Sequence, residues 1–352
     1  MSASSLEFGL GFGLIGAGMI ADFHARAIAA TRDAHVVGVA SRTMEGARSF
    51  ARQHDIAFAA GSVGELLAHP DVDAVCITTP SGLHLEPALA AIRAGKHLMI
   101  EKPIEATVAG TDEIIRAAEQ AGVLVGSIFQ ARFGEGAKAL KAAIDAGRFG
   151  RLVACSAYVK WHRTKQYYTG WKGRLALDGG GALMNQAIHA VDLLQWFAGM
   201  PTEVFGWTTR CVHLDIESED TSCATLRFAS GALGTIEAST AVWPGYSRRI
   251  DICGESGSAV LEDDDIARWD FQDSRPEDEA IRRTRESAGM GSGASAPNAI
   301  GFEGHLRQIQ DFVEAVRTNR PPLLDGREAR KAVALVRAIY DSAARNAPVR
   351  IE

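Results

Sequence analysis

The apolar positions of this chain follow two regimes. In the first 130 residues, short unbroken apolar runs alternate with longer stretches of helical periodicity. Phe8 to Ile15, Val36 to Ala40, Val72 to Thr78, His97 to Ile100 and Leu124 to Ile128 read as strands buried on both faces. Met19 to Ala30, Thr43 to His54, a segment closing at Ala94, and Thr107 to Ala121 read as helices between them. Ser62-Val63-Gly64-Glu65 has capping-box spacing and predicts one more short helix. Strands and helices alternating in this way predict an α/β fold over residues 1–130, a doubly wound parallel sheet of the Rossmann kind.

Beyond residue 130 the pattern changes. Gly134 to Ala146 predicts a connecting helix. Leu152 to Lys160, Glu203 to His213, Thr221 to Phe228, Ala232 to Ala241, Arg248 to Cys253 and Ser258 to Glu262 predict strands, with a hairpin turn at Ala229-Ser230-Gly231. Successive strands without helices between them predict a mainly antiparallel sheet with helices on one face, an α+β domain over residues 131–320. Gly179-Gly180-Gly181 opens a helix to about Ala198, and Asp273 to Pro297 reads as a long loop. Phe302 to Thr318 is an amphipathic helix. Asp325-Gly326 precedes a last helix to Arg345, inside the closing segment 321–352.

A length of 352 residues fits two domains, and the apolar and charged fractions, 47% and 23%, are ordinary for a globular protein. The net charge of -6 gives no reason to expect a nucleic-acid partner. No apolar run is long enough for a membrane span, and the opening Met-Ser-Ala-Ser-Ser lacks a signal pattern. Cys76, Cys155, Cys211, Cys223 and Cys253 are scattered without a Cys-x-x-Cys pair. That spacing predicts a reducing, cytoplasmic setting and no metal site.

The candidate chemistry starts at Gly16-Ala17-Gly18. Gly16 allows a tight turn after the first strand, and Gly18 lets backbone N–H groups approach a pyrophosphate. Met19 and Ile20 begin the helix whose positive end would face that group, and Ala21 takes the third small position. A glycine turn alone is common; its place between strand and helix is what points to a dinucleotide. Where an NAD site carries an acid, the second strand ends in Ser41-Arg42. A hydroxyl beside a guanidinium suits a 2′-phosphate, so NADP(H) is the expected cofactor and NAD(H) the alternative, with a solvated arginine the plain reading.

A doubly wound sheet gathers its ligand at the carboxyl ends of its strands, which here carry Gly16, Ser41, Thr79, Glu101, Lys102 and Gln130. Lys102 stands between a buried strand and a proline; partial burial suits it to proton chemistry, and an ion pair with Glu101 is the alternative. The loop from Trp161 to Arg174 holds Trp161, Arg163, Tyr168 and Trp171. These residues fit a polyhydroxylated or anionic ligand, or a protein interface. Asn185 and His189, four apart, share one face of a helix; Asp192 lies one turn on, as a helix-surface acid or as a carboxylate orienting His189.

Gly16-Ala17-Gly18, Thr79-Pro80 with His84, Glu101-Lys102-Pro103, and Gly179-Gly180-Gly181 with His189 together resemble the glucose–fructose oxidoreductase / inositol dehydrogenase (Gfo/Idh/MocA) family. The resemblance runs over nearly the whole chain in the right order, and Glu-Lys-Pro is its most specific piece. It implies a Rossmann domain beside an open-faced sheet domain, with the last helix packing back on the Rossmann domain. It also implies an NAD(P)-dependent oxidoreductase of sugars, sugar derivatives or cyclitols. Thr79, Pro80, His84, Glu101, Lys102 and Gln130 would line the cofactor, with Gln130 on the nicotinamide side and a cis bond before Pro103. Trp161, Arg163, Tyr168, Trp171, Asn185 and His189 would meet the substrate.

By the same resemblance Lys102 and His189 would be catalytic, His189 moving the hydroxyl proton and Lys102 stabilising the oxygen's negative charge, or the reverse. The family usually carries Asp-x-x-x-His where this chain has Asn185-Gln186-Ala187-Ile188-His189; an amide cannot be a general base. Family members commonly pair subunits through the C-terminal sheet, so a homodimer or homotetramer is expected. Two competing readings are a nucleotide-sugar or dihydrodiol dehydrogenase of the same family, and an NAD(P)-sensing binding protein without turnover. Retention of both Lys102 and His189 argues against the second.

Overall fold

The structure, a computed structural model, describes residues 9–284 and 301–351. The chain divides into two compact units. One runs to Gln130 and takes in Phe302–Arg330; the other comprises Ala131–Gly301 and Lys331–Glu352.

The first unit is a six-stranded parallel sheet. Its strands are β1 (Leu10–Ile15), β2 (Ala34–Ala40), β3 (Phe58–Ala60), β4 (Ala74–Ile77), β5 (His97–Ile100) and β6 (Val125–Ser127). They lie in the order β3-β2-β1-β4-β5-β6, every pair parallel. β1 and β4 are buried at every position, which is why they read as unbroken apolar runs. The intervening helices are α1 (Met19–Ala30), α2 (Met44–Gln53), α3 (Val63–Leu67), α4 (Leu85–Arg93) and α5 (Val108–Ala121). Side-chain oxygens of Thr43, Ser62 and Thr107 accept the first free amides of α2, α3 and α5. The Ser62 cap forms as the spacing predicts, but Glu65 reaches back to the Gly61 N–H, at 2.7 Å, not to its own cap residue.

The core of this unit joins Phe12, Leu14, Ile28, Val39 and Met99 to Ile309, Phe312, Val313 and Val316. The latter four belong to α10 (Glu303–Thr318), which packs on α1 although some 270 residues follow α1 in the chain before it. The last helix, expected to pack on this unit, meets it through its first turns, where Arg330 donates to Asp112 of α5. The last helix, α11 (Gly326–Arg345), leaves only its first residues in this unit, and the chain beyond Lys331 belongs to the second.

The second unit is an eight-stranded sheet. Its strands are β7 (Leu152–Lys160), β8 (Pro201–Thr209), β9 (Thr221–Phe228), β10 (Leu233–Ser239), β11 (Arg249–Gly254), β12 (Gly257–Glu262), β13 (Asp265–Phe271) and β14 (Val349–Arg350). They lie in the order β13-β12-β11-β7-β10-β9-β8-β14. Only β7 and β10 pair in parallel; the other pairs are antiparallel. Burial alternates along β9, with Ser222, Ala224, Leu226 and Phe228 inside and Cys223, Thr225 and Arg227 outside. That is the pattern of a sheet covered on one face. The helices are α6 (Glu135–Asp145), α7 (Leu175–Asp178), α8 (Ile188–Ala198) and α9 (Pro276–Thr284).

Four elements differ from expectation. β8 stops at Thr209 because the next amides turn to a carboxylate: Cys211, Val212 and His213 N–H all donate to Asp220. β13 extends the sheet past Glu262, after a turn at Asp263 with φ 52°. α9 lies in the segment read as loop; its Asp278 is bound by Arg148, the Trp269 indole and the Arg275 amide. Residues 285–297 of that expected loop, like Phe8, lie outside the described residues. Finally, the helix expected from Gly181 to Ala198 is a π-helical turn, Ala182–Gln186, followed after Ala187 by α8.

Candidate active site

In the first unit the predicted residues stand where the parallel strands end. Gly16 has φ 114°, and a Cβ there would come within 2.6 Å of Thr78 Oγ1 and 2.9 Å of its backbone. Only glycine fits that close approach. Gly18 differs. A Cβ on it would meet no protein atom within 4 Å, so packing does not demand glycine there. It caps α1 without a side-chain hydrogen bond, and Gly18 and Met19 are exposed with Ile20 half-buried behind them. A bare backbone corner at a helix N-terminus is what a pyrophosphate approaches. Gly18 therefore fits a dinucleotide on its own geometry.

Ser41 is half-buried at the end of β2 and Arg42 is exposed. Thr79 and Pro80 are half-buried after β4. His84 is 1% exposed, with Nδ1 2.9 Å from the Pro103 carbonyl oxygen and Nε2 2.9 Å from that of Thr79. Both ring nitrogens face backbone carbonyls, so His84 ties the loop after β4 to the loop after β5. Burial pushes its pKa down, against the pull of those carbonyls.

Glu101 is buried and Lys102 half-buried, and the Lys102–Pro103 bond is cis, as the resemblance implied. The Glu101 carboxylate is partnered by His24 at 2.8 Å and His305 at 3.7 Å, and it accepts the Lys102 backbone N–H at 3.1 Å. Sequence reading missed both histidines. Gln130 is half-buried, and its side chain approaches Gly304, whose Cβ would meet it at 3.1 Å.

The second unit ties two of the predicted substrate residues, Arg163 and Asn185, into one polar network. Arg163, 4% exposed, donates to Gln186 Oε1 at 3.0 Å and lies over the rings of Trp161, at 4.9 Å, and Tyr167, at 5.3 Å. Burial pushes its pKa down and the neighbouring tyrosines oppose that. Gln186 Nε2 donates to Asn185 Oδ1 at 2.7 Å and to the Tyr167 hydroxyl at 2.5 Å. Asn185 Nδ2 in turn donates to Asp178 Oδ1, whose partner oxygen accepts the Gly173 N–H at 2.7 Å. The Tyr168 hydroxyl is 2.7 Å from Thr240 Oγ1, and its ring packs on His213. Trp171 is half-buried in the same loop.

Three expectations change here. Asn185 lies in the π-helical turn and His189 in the first turn of α8, so they do not share one face of a single α-helix. Asn185 uses both ends of its amide inside the network, which places a buried carboxylate, Asp178, one bond away. Asp178 went unnoticed because it precedes the triple glycine, seven residues from Asn185. Asp192 is no surface acid: it is fully buried and holds Arg132 through two bonds, at 2.6 and 2.7 Å. His189 itself is half-buried.

A parallel sheet in this strand order, with a glycine turn after its first strand, defines a dinucleotide-binding protein. The comparison with known proteins then names its family. Residues 10–129 match the oxidoreductase family with an NAD-binding Rossmann fold, GFO/IDH/MocA, and residues 137–260 match the GFO/IDH/MocA C-terminal domain. The chain belongs to the GFO/IDH/MocA family and is an NAD-binding oxidoreductase.

The WlbA dehydrogenase from Bordetella pertussis, solved in complex with NADH and UDP-GlcNAcA, is 31% identical and superposes with a TM-score of 0.88 over 98% of each chain. The inositol 2-dehydrogenase of Acidothermus cellulolyticus is 30% identical over 75% of this chain and 76% of its own. The myo-inositol 2-dehydrogenase of Thermotoga maritima is 26% identical over 97% of this chain and 98% of its own.

Proposed function

We propose that the protein interconverts a secondary alcohol and the matching ketone on a pyranose-type sugar or cyclitol, with NADP(H) preferred over NAD(H). The observation that carries the reading is the rim of the first unit. Gly16, Gly18, Thr79 and Lys102 follow β1, β4 and β5, three adjacent strands of one sheet. The nicotinamide, when bound, exchanges the hydride with the substrate carbon.

The chain's own residues do the rest. The exposed amides at Gly18 and the start of α1 hold the pyrophosphate. Ser41 and Arg42 hold the ribose 2′ position. Arg42 makes no hydrogen bond or ion pair among the described residues that would compete for it. His189 accepts the hydroxyl proton in oxidation and returns it in reduction. Lys102 donates to the reacting oxygen and stabilises its negative charge. The Arg163–Gln186–Asn185–Asp178 network fixes the donors and acceptors that sort neighbouring hydroxyls.

Similarity to WlbA supports a second reading, a nucleotide-linked sugar as substrate. The outer face of the second unit's sheet exposes Val153, Trp207 and Leu233, which supports pairing with a second copy of the chain.

The test is reduced-nicotinamide absorbance on mixing the protein with NAD or NADP and a panel of free aldoses, glycosides, cyclitols and nucleotide-linked sugars. A rise with a free sugar or cyclitol upholds the first reading, and a rise with nucleotide-linked sugars alone upholds the second. Cofactor binding with no turnover across the panel leaves a sensor.

A further inference from the structure

Beneath the rim of the first unit lie three titratable side chains that the proposed reaction does not use. His24 on α1, Glu101 after β5 and His305 in the first turn of α10 are 0%, 5% and 2% exposed. Each offers an atom within 4.8 Å of the other two. His24 Nε2 stands 2.8 Å from Glu101 Oε1, and His305 Nε2 stands 3.7 Å from the same oxygen. The two rings meet edge-on at 5.5 Å, and Phe23 packs against His305 at 5.9 Å. The other carboxylate oxygen, Oε2, accepts the Lys102 backbone N–H. Glu101 therefore bonds His24 with one oxygen, against which the His305 ring also stands, and holds the main chain of Lys102 with the other.

Such a set could be taken for metal ligands, but its spacing is that of a hydrogen bond. Two ligands on a tetrahedral zinc ion, each about 2 Å from it, stand about 3.3 Å apart. The 2.8 Å between His24 and Glu101 is a direct donor–acceptor contact.

The charges are sorted among the three groups. Burial opposes a charged His24, yet Cys76 on β4 and the Glu101 carboxylate outweigh it and raise His24 to about 10. Burial also opposes ionisation of Glu101, but the bond and charge of His24 hold it well below the usual carboxylate range, with the His305 ring beside it. His305 is pushed down by burial, and the cations of His24 and Lys102 add to that against the pull of Glu101. The result is one imidazolium, one carboxylate and one neutral imidazole, with the Lys102 ammonium close enough for His305 to feel it.

α10 is well placed to set this arrangement. One turn past His305, Gln308 accepts the Phe129 N–H at 3.1 Å and donates to the Ser127 carbonyl at 2.6 Å. The same helix thus grips the ends of β5 and β6, two neighbouring strands whose loops carry Lys102 and Gln130.

We infer that His24 and His305 are positioning residues for Lys102: they clamp the Glu101 carboxylate, which anchors the Lys102 backbone and fixes where its ammonium stands. The inference rests on the reading of Lys102 as the group that meets the reacting oxygen. Without the clamp the Glu101 carboxylate would lose its fixed place, and the Lys102 backbone N–H that it accepts would be released with it.

The test reads Lys102 directly. The whole protein is reductively methylated with ¹³C-formaldehyde, and the Lys102 dimethylamine signal is assigned by its loss in Lys102→Arg. His305→Phe keeps a ring against Phe23 and removes the polar edge. His24→Gln keeps a donor to Glu101 and removes the charge. We expect the Lys102 signal to move and its titration midpoint to shift by about 0.5 pH unit or more in both variants. Dinucleotide affinity should stay within about threefold, and with an accepted substrate kcat should fall about tenfold at little-changed cofactor KM.

A folded His305 variant whose Lys102 signal and titration match the parent protein overturns the inference, even where Tm drops. A purely structural histidine would lower Tm and leave Lys102 untouched. His305→Gln takes the place of His305→Phe should the latter fail to fold. The spectrum needs no turnover, so full activity in Lys102→Met, which would sink the reading of Lys102 in the reaction, is seen separately.

Discussion

The Tyr340 hydroxyl donates to Glu219 Oε1 at 2.8 Å and accepts the N–H groups of Gly181 and Met184, each at 3.3 Å. Glu219 completes the arrangement by accepting Gly181 N–H at 3.0 Å and Leu183 N–H at 2.9 Å. The two side chains cap the π-helical turn that carries Asn185, and they do so where no side chain of the turn itself could. They also account for the glycines. A Cβ on Gly180 would lie 2.3 Å from the Tyr340 hydroxyl, and one on Gly181 would lie 1.8 Å from the Glu219 carbonyl.

Tyr340→Phe removes the donor to a buried carboxylate whose pKa burial already raises. The expected cost is about 1–3 kcal/mol of stability, the usual penalty for stranding a buried polar group. Urea denaturation measures it. Because the turn holds Asn185 and leads into α8 with His189, kcat should also fall. A variant with the stability and kcat of the parent protein would show that the cap carries neither.

Asn185 gives a prediction with a sign. Asp178 already supplies a buried carboxylate to its amide. Asn185→Asp sets a second carboxylate against the first, and two such groups cannot both ionise cheaply, so one pKa rises. A raised carboxyl pKa in the folded state favours the protonated form. The variant's deficit in stability should therefore grow as pH rises above about 4, the unfolded value, and shrink on acidification. Thermal melts of parent and variant between pH 4.5 and 8 test this. A deficit flat across that range would mean that the two side chains do not share one polar site.

Legibility in the sequence tracked locality. β1 and β4 were readable because a strand buried on both faces needs an unbroken apolar run, and Gly16 because a tight turn between strand and helix has a local signature. β13 was not. Its buried Ile266 and Trp269 stand three apart, not two, because a bulge at Ala267 shifts the register against β12 and breaks the alternation. α9 was hidden for a different reason: its sequence is mostly charged, and Asp278 finds its partners in Arg148 and Trp269 through tertiary contact. Of the candidate site, Lys102 and the Trp161–Trp171 loop were visible as unusual residues in telling places. His24, His305, Asp178 and Glu219 were not, because each acts through a partner that the fold alone brings near.

The Arg148–Asp278 pair titrates in the opposite sense to the one introduced at Asn185. The Arg148 guanidinium bonds both carboxylate oxygens, at 2.6 and 2.8 Å, and these bonds hold Asp278 far below its ordinary value of 3.8 despite burial. A depressed carboxyl pKa stabilises the fold above the unfolded pKa, and that contribution is lost as pH falls through the folded one. Asp278→Asn should cost about 3–5 kcal/mol at neutral pH, since it leaves Arg148 buried without its counter-charge. The gap between parent and variant should narrow only below about pH 4. Urea titrations at pH 7, 4 and 3 measure it, and a gap already closed at pH 5 would contradict the depressed carboxylate.

The proposed preference for NADP(H) rests on Arg42. Ser41 and Arg42 end β2 where an acid would face the ribose 2′-hydroxyl of NAD, and the guanidinium is exposed there. A charged hydrogen bond to a 2′-phosphate contributes about 1.5–3 kcal/mol, so Arg42→Ala should raise the KM or Kd for NADP(H) by about 10- to 100-fold. NAD(H) lacks that phosphate and should be bound about as before, so the preference narrows or inverts. Isothermal titration with each reduced cofactor checks this without any substrate. Equal weakening toward both cofactors would assign Arg42 to the shared parts of the dinucleotide. No change toward either would leave it a solvated arginine at a strand end, and the protein a user of NAD(H).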